Sequence, residues 1–179
     1  MTNTNIKIAV FLNTWGNYNE NGAEGGFWVE LPCNLDEAME RLAESTGEDV
    51  DEMEVFINDT DIEGIDIEIG ENDSIEELNE LAETLEGLCD SDIEAVEAFI
   101  YHGYEISEAI EKANDGNYMI FYNCNDMEDV TREYCEETGL LDSIPENLRN
   151  YFDFEAFGRD MDFEGQYYFN DYGNCVHTY

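Results

Sequence analysis

Bases are scarce in this sequence: six Lys or Arg and two His stand against 46 Asp or Glu in 179 residues, a formal net charge of −40. That shortage excludes the ordinary routes to nucleic acid and to an anionic membrane, both of which need a basic face. No apolar run approaches the ~20 residues of a membrane-spanning helix. The N-terminus, Met1-Thr2-Asn3-Thr4-Asn5, lacks a basic stretch, and Ile6 to Leu12 is too short for a signal peptide, so the expected location is cytoplasmic. The five Cys, at 33, 89, 124, 135 and 175, show neither a C-x-x-C pair nor zinc spacing and read as reduced, buried thiols. His102 and His177 have no partner at metal-ligand spacing and read as structural. No nucleophile elbow, phosphate loop or dinucleotide fingerprint occurs. The glycine-rich segment Gly22 to Gly26 carries Glu24 and no Lys, so it does not suit phosphate. Neither catalysis nor a cofactor or metal is expected.

Enough apolar residues remain to fold. Leu, Ile, Val and Phe make up about 23% of the chain, above the roughly 20% below which disorder is the default. The charge must therefore lie on a folded surface. A compact protein of this mass exposes roughly 8,900 Å², which gives about one net charge per 220 Å².

The pattern predicts an α+β chain of three small units, residues 1–61, 62–103 and 104–179. Ile6 to Phe11, Gly26 to Leu31 and Val55 to Ile57 read as strands, with Asn13 to Gly26 as a loop. Asn34 reads as the N-cap of a helix stopped by Gly47, with Glu37 in capping-box position. Ser74 and Ser91 read as N-caps of two further helices, with Glu77 and Glu94 in the same position, and Ser107 to Ala113 as a third. This gives a central helical unit. Strand character returns at Tyr118 to Tyr122. Helices follow at Asp126 to Thr138, after a Pro145 at the first helical position, and from Asp153 through Met161. Tyr167 to Phe169, a turn at Asp171 to Asn174 and Cys175 to His177 suggest a closing hairpin.

Asp59-Thr60-Asp61-Ile62-Glu63-Gly64 begins like a calcium-binding loop, but Asp66 and Gly70 stand where an apolar residue and a bidentate Glu belong. Ile65, Ile67 and Ile69 alternate instead as in a strand. The charge itself forms the clearest pattern. Residues 42–111 hold 25 acids and not one Lys or Arg. Asp36, Glu40 and Glu44 form one helical row, Glu76, Glu80 and Glu83 a second, and Asp129, Glu133 and Glu136 a third. A four-residue step advances about 6 Å along a helix, the scale of successive backbone phosphates. Such rows cost roughly 0.2–0.5 kcal/mol per like-charge pair, which interspersed Lys would recover. Their retention points to the charge as the function.

Phe11-Leu12-Asn13-Thr14-Trp15-Gly16-Asn17-Tyr18-Asn19-Glu20 and Gly26-Phe27-Trp28-Val29-Glu30-Leu31 resemble the N-terminal strand, Tyr-Asn loop and Gly-x-Trp strand of the ArdA antirestriction proteins. Leu140-Leu141-Asp142-Ser143-Ile144-Pro145 and Tyr151 to Met161, with Glu146 to Asn150 between them, are similar to that family's antirestriction motif. The resemblance runs from near residue 6 to near residue 178. It implies an elongated, three-part protein that mimics the charge and bend of B-form DNA, is carried by mobile elements and performs no chemistry. It implies a homodimer formed through the C-terminal region. It also implies occupation of the DNA-binding groove that the methyltransferase and specificity subunits of type I restriction-modification enzymes provide. Within the motif, Leu140, Leu141, Asp142, Pro145, Glu146, Tyr151, Asp153, Glu155, Arg159 and Asp160 are the candidate residues. Asp142, Glu146, Glu155, Asp160 and Asp162 fit either surface mimicry or salt bridges. Phe152, Phe154 and Phe157 read as core or dimer contacts, Asp153 as a helix cap, and Arg149 and Arg159 as internal partners of local carboxylates.

Two other function classes share this charge. An acidic chaperone or antagonist of basic nucleoid-binding proteins would bind any basic partner. An enzyme adapted to high salt would need a catalytic cluster that the sequence does not show.

Overall fold

The computed structural model describes residues 6–170 and 172–179, with residue 164 described by its backbone alone. The leading run Met1 to Asn5 and the first residue of the expected Asp171 to Asn174 turn lie outside the described residues. The fold is α+β, as the pattern predicts: two three-stranded antiparallel sheets with helices. Contacts divide the chain into two units, Met1–Asp90 and Ser91–Tyr179.

The first unit runs β1 (Lys7–Thr14), α1 (Trp15–Asn21), β2 (Phe27–Leu31), α2 (Leu35–Thr46), β3 (Val55–Glu63) and α3 (Ile75–Glu86). Its sheet has the order β2-β1-β3. β1 takes the middle because its side chains bury on both faces: Ile8, Val10 and Leu12 on one, Ala9 and Asn13 on the other. Val10 lies opposite Val29 on one side and Thr60 on the other.

Three expectations change here. The segment from Asn13 is not all loop. Thr14 Oγ1 accepts the Asn17 N–H at 3.1 Å and starts α1, and Gly22, with φ 66°, ends it. Buried asparagines stitch this segment together. Asn13 Oδ1 accepts from the Thr14 N–H and from Asn17 Nδ2, while Asn13 Nδ2 donates to the Gly22 carbonyl. Next, β3 extends past Ile57 to Glu63, so the segment that begins like a calcium loop is an edge strand. Asp59, Asp61 and Glu63 stand opposite Phe11, Ala9 and Lys7, and a bulge leaves Asn58 without an opposite residue. Exposed acids along such an edge oppose pairing with another chain. Last, Ile65 to Ile69 is not a strand. Its apolar residues turn inward in alternation, but the nearby ladder-like bond joins the Ile57 N–H to the Glu71 carbonyl.

Helices α2 and α3 start and stop where their caps stand. Asn34 Oδ1 accepts from the Glu37 N–H, Gly47 takes the left-handed conformation at φ 77°, and Ser74 Oγ accepts from the Glu77 N–H. Both bury one stripe: Ala38, Leu42 and Ala43 in α2; Ile75, Leu78, Ala82 and Leu85 in α3. α2 lies against β1 and α3 against β2. Buried Asn79 adds a polar tie, its Oδ1 accepting the Cys33 N–H at 2.8 Å.

The second unit runs α4 (Asp90–Tyr101), α5 (Ile106–Asn114), β4 (Tyr118–Phe121), α6 (Met127–Thr138), α7 (Glu146–Arg149), α8 (Phe154–Glu164), β5 (Gln166–Phe169) and β6 (Cys175–Thr178). Ser91 is inside α4 rather than its cap, and Pro145 is the N-cap of α7 rather than its first residue. The sheet order is β4-β6-β5. One face, through Phe121 and Cys175, joins Cys124 and Val130 in a core that Met127, Tyr134, Tyr167 and Phe169 flank. On the other face the Tyr168 ring meets Phe99 edge-on at 5.1 Å, and the Tyr118 hydroxyl donates to Asp92 at 2.6 Å. The sheet is thus covered by α4 on one side and α6 on the other.

α8 packs on α6 at Gly158. A Cβ there would stand 2.5 Å from the Met127 carbonyl oxygen and 2.7 Å from Thr131 Oγ1. Helix propensity favours Ala over Gly by about 1 kcal/mol, but a backbone carbonyl has little room to yield. Gly158→Ala is therefore expected to cost about 1–3 kcal/mol through overpacking. Thermal melting followed by circular dichroism checks this; an unchanged or raised melting temperature would show that α6 and α8 separate freely.

Candidate partner-binding surface

No described acid is buried. Glu48, Asp92, Glu94 and Glu97 are half-buried, as are Glu128, Asp129 and Glu133 on α6, and the remaining described acids are exposed. The α2 row Asp36, Glu40, Glu44 and the α3 row Glu76, Glu80, Glu83 both face solvent throughout. Only Glu76 has a side-chain partner among the described residues, accepting from Ser74 Oγ at 2.9 Å. The α6 row differs. Asp129 Oδ2 accepts the Asn125 N–H at 3.1 Å, Glu133 Oε2 accepts from the Cys124 thiol at 3.2 Å, and only Glu136 is exposed. The helical period placed all three on one stripe, but that stripe turns partly toward the loop before α6.

The bases are used inside the fold. Lys7 Nζ pairs with Asp61 at 2.8 Å. Arg41 lies over the Phe27 ring at 4.0 Å, Lys112 over Phe99 and Tyr104 at 5.3 and 5.2 Å, and Arg132 over Phe154 at 4.1 Å while also pairing with Glu128. Arg149 donates to the Ile144 and Asp142 carbonyls and approaches the Asp142 carboxylate at 3.4 Å. Arg159, expected from the sequence to pair with local carboxylates, is instead exposed, with no ion pair, hydrogen bond or ring contact among the described residues. The six cations thus do little to dilute the anionic surface.

Other chemistry is quiet. Among the described residues no group of three or more His, Cys, Asp or Glu is placed to hold a metal ion, and no helix is long and apolar enough to cross a membrane. The cysteines are all free. Cys124, Cys135 and Cys175 are buried, and burial pushes the Cys124 and Cys175 thiols up to about 12. Cys89 is exposed, against expectation. His177 stacks on Tyr167 at 4.3 Å, and His102 Nε2 lies 3.1 Å from the Phe169 carbonyl oxygen.

With that geometry in place, comparison with protein families finds that the family described as antirestriction protein (ArdA) matches residues 10–176. The chain belongs to this family. Membership implies an antirestriction function. No curated protein matches the chain.

The residues that resemble an antirestriction motif lie in the second unit, from just after α6 through α8. Asp142, Pro145, Glu146, Asp153, Glu155 and Asp160 are exposed, as are Leu140, Tyr151 and Arg159, and Leu141 is half-buried. Asp153 caps α8 by accepting the Ala156 N–H at 3.0 Å. Phe152 packs edge-on against Phe154 at 4.9 Å and lies 5.4 Å from Phe157. Leu141, Asp142, Arg149 and Phe154 join Arg132, Cys135 and Glu136 around a half-open cavity of about 340 Å³. Gly158, which sequence reasoning left without a role, sets the approach of α8 to α6.

One acid departs from the rest. Burial, then the Glu94 charge one turn away, pushes the Glu97 carboxyl up to about 7. The folded state therefore keeps a proton that the unfolded chain loses near pH 4.5, and stability falls as pH rises between those values. Glu97→Gln should melt higher than the unaltered protein at pH 8, with the difference fading toward pH 5. Equal melting temperatures at both pH values would show that Glu97 ionises without cost.

Proposed function

We propose that this chain mimics the charge and shape of B-form DNA and inhibits type I restriction-modification enzymes. On this reading it acts as a homodimer and occupies the DNA-binding groove of the methyltransferase and specificity subunits. The observation that carries the reading is the separation of charge: exposed carboxylate rows on α2 and α3, and bases turned onto aromatic rings, carbonyls and local acids. A groove built to grip phosphates offers Lys and Arg to regularly spaced anions, and rows stepping about 6 Å meet that requirement. In charge, −40 matches roughly 68 Å of duplex, about 20 base pairs, at one charge per ~1.7 Å. Carboxylates fixed on a fold also save the energy that bending a duplex costs.

Unmodified phage plated on a restricting host that expresses the protein should escape restriction, and purified protein should compete with duplex DNA for a type I methyltransferase core, less well as salt rises. Soluble expression without relief of restriction would sink the proposal. Equal binding to any histone-like protein would instead favour a general antagonist of basic proteins.

The effect should be graded. Glu80→Lys alone should weaken competition only a few-fold, because the binding energy is spread over many charges. Reversing Glu76, Glu80 and Glu83 together should weaken it far more. Complete loss from Glu80→Lys in a folded protein would reveal a local hot spot instead of a distributed field.

A further inference from the structure

The first sheet has a face that the helical acid rows do not account for. Alternation along β2 sends Phe27, Val29 and Leu31 to one side and Trp28 and Glu30 to the other. Val29 and Leu31 are buried, and Arg41 of α2 reaches the ring of Phe27. On the other side, strand pairing sets out two rows. Trp28 stands beside Phe11 and Phe11 beside Asp59; Glu30 stands beside Ala9 and Ala9 beside Asp61. Trp28 is 46% exposed, and Glu30, Asp59 and Asp61 are exposed. Phe11 meets the indole edge-on at 5.5 Å and steadies it. Glu30 has neither hydrogen bond nor ion pair among the described residues. Lys7, next along this face of β1, donates to Asp61 at 2.8 Å. That bond and the Asp61 charge, and to a smaller extent the charges of Glu63 and Glu30, hold its ammonium charged above the ordinary lysine range. A cation of the chain itself thus already rests among these acids.

We propose that this face holds an arginine side chain of the inhibited protein, its guanidinium lying on the exposed indole of Trp28 and donating to Glu30. The inference rests on the reading that the chain occupies a DNA-binding groove, and it adds a local anchor to the field of the acid rows. Residues two apart on a strand are separated by about 6.8 Å. A cation stacks within about 6 Å of a ring centroid, so one guanidinium spans the indole and the carboxylate. Asp59 and Asp61 stand across β1, about 10 Å away at two strand spacings, and add to the attraction.

Charge and ring select the occupant together. Acids on this face repel nucleic acid and a second copy of a chain of net charge −40 alike. The indole then distinguishes between cations. A guanidinium is planar, weakly hydrated and stacks on aromatic faces, whereas an ammonium is a strongly hydrated point charge. The fold uses the same pairing internally, with Arg41 over Phe27 at 4.0 Å and Arg132 over Phe154 at 4.1 Å. A groove that grips phosphates supplies the arginine, and Trp and Arg are the residues that most often carry an interface.

The test has two arms. In the first, hexa-arginine and hexa-lysine peptides are titrated onto the whole chain by calorimetry at physiological salt. The arginine peptide should bind about threefold to tenfold more tightly. Trp28→Leu should erase that preference and Trp28→Phe should keep most of it. Should Trp28→Leu fail to fold, Trp28→Thr, a good strand former, takes its place. No preference in the unaltered protein, or one that survives loss of the ring, would overturn the site. In the second arm the same variants compete with duplex DNA for a type I methyltransferase core at low and high salt. Trp28→Leu should compete about fivefold less well at both, because stacking is not screened, whereas the loss in Glu80→Lys should fade as salt rises. Undiminished competition by Trp28→Leu would overturn the anchor and leave the groove reading standing. An unaltered protein that does not compete, yet prefers arginine through Trp28, would overturn the groove reading and leave the arginine site standing.

Discussion

Mutual repulsion among carboxylates is the constraint that the rest of this structure answers. A folded chain of net charge −40 holds its like charges closer together than an unfolded one does, and self-repulsion opposes the compact state. The apolar interior must overcome that term in addition to chain entropy. Both units meet it in the same way, with a small antiparallel sheet, well-packed aromatics and helices whose outer faces carry the acids. Trp15 stacks on Phe56 at 3.9 Å in the first unit, and Phe99, Tyr104 and Tyr168 cluster in the second. Aromatic rings bury much area per residue, an advantage where few positions are left for the core.

Helix ends show how the acids are accommodated. Acids occupy the first turns of α2, α3, α6 and α8, where the helix dipole favours them by about 0.3–1 kcal/mol each. The last turns of those four helices carry no base. An ordinary surface would place Lys or Arg there. Here the few cations are elsewhere: Arg41, Lys112 and Arg132 lie over rings, and Arg149 braces the loop before α7. A cation held over an aromatic face still stabilises the fold, and it does so without planting an isolated positive charge in the acidic rows.

Much of this was legible in the sequence where one residue decides a local geometry. Asn34, Ser74 and Asp153 each accept the expected N–H, and Gly47 stops its helix in the left-handed conformation. What escaped depends on partners distant in the chain. The second half of β3 does not read as a strand because Asp59, Asp61 and Glu63 are poor strand formers, and only pairing with β1 makes it one. α1 is hidden among asparagines because its stability comes from a buried amide network rather than from helix propensity. Gly158 could not be assigned a role without knowing that α6 passes beneath it.

The acid rows show the same limit in the candidate site. Period 3.6 groups side chains on one stripe of a helix, and it succeeded for α2 and α3, whose rows are exposed from end to end. Identical spacing on α6 yields a stripe in which Asp129 closes the helix entry and Glu133 holds a buried thiol. Periodicity reports which side chains lie together, and the neighbouring loop decides whether they are free. Carboxylates that accept hydrogen bonds from their own fold keep their charge but lose the freedom to reorient toward a partner's cations. Apart from Glu76, held by Ser74, the α2 and α3 rows retain that freedom, so the first unit presents the more adaptable anionic surface.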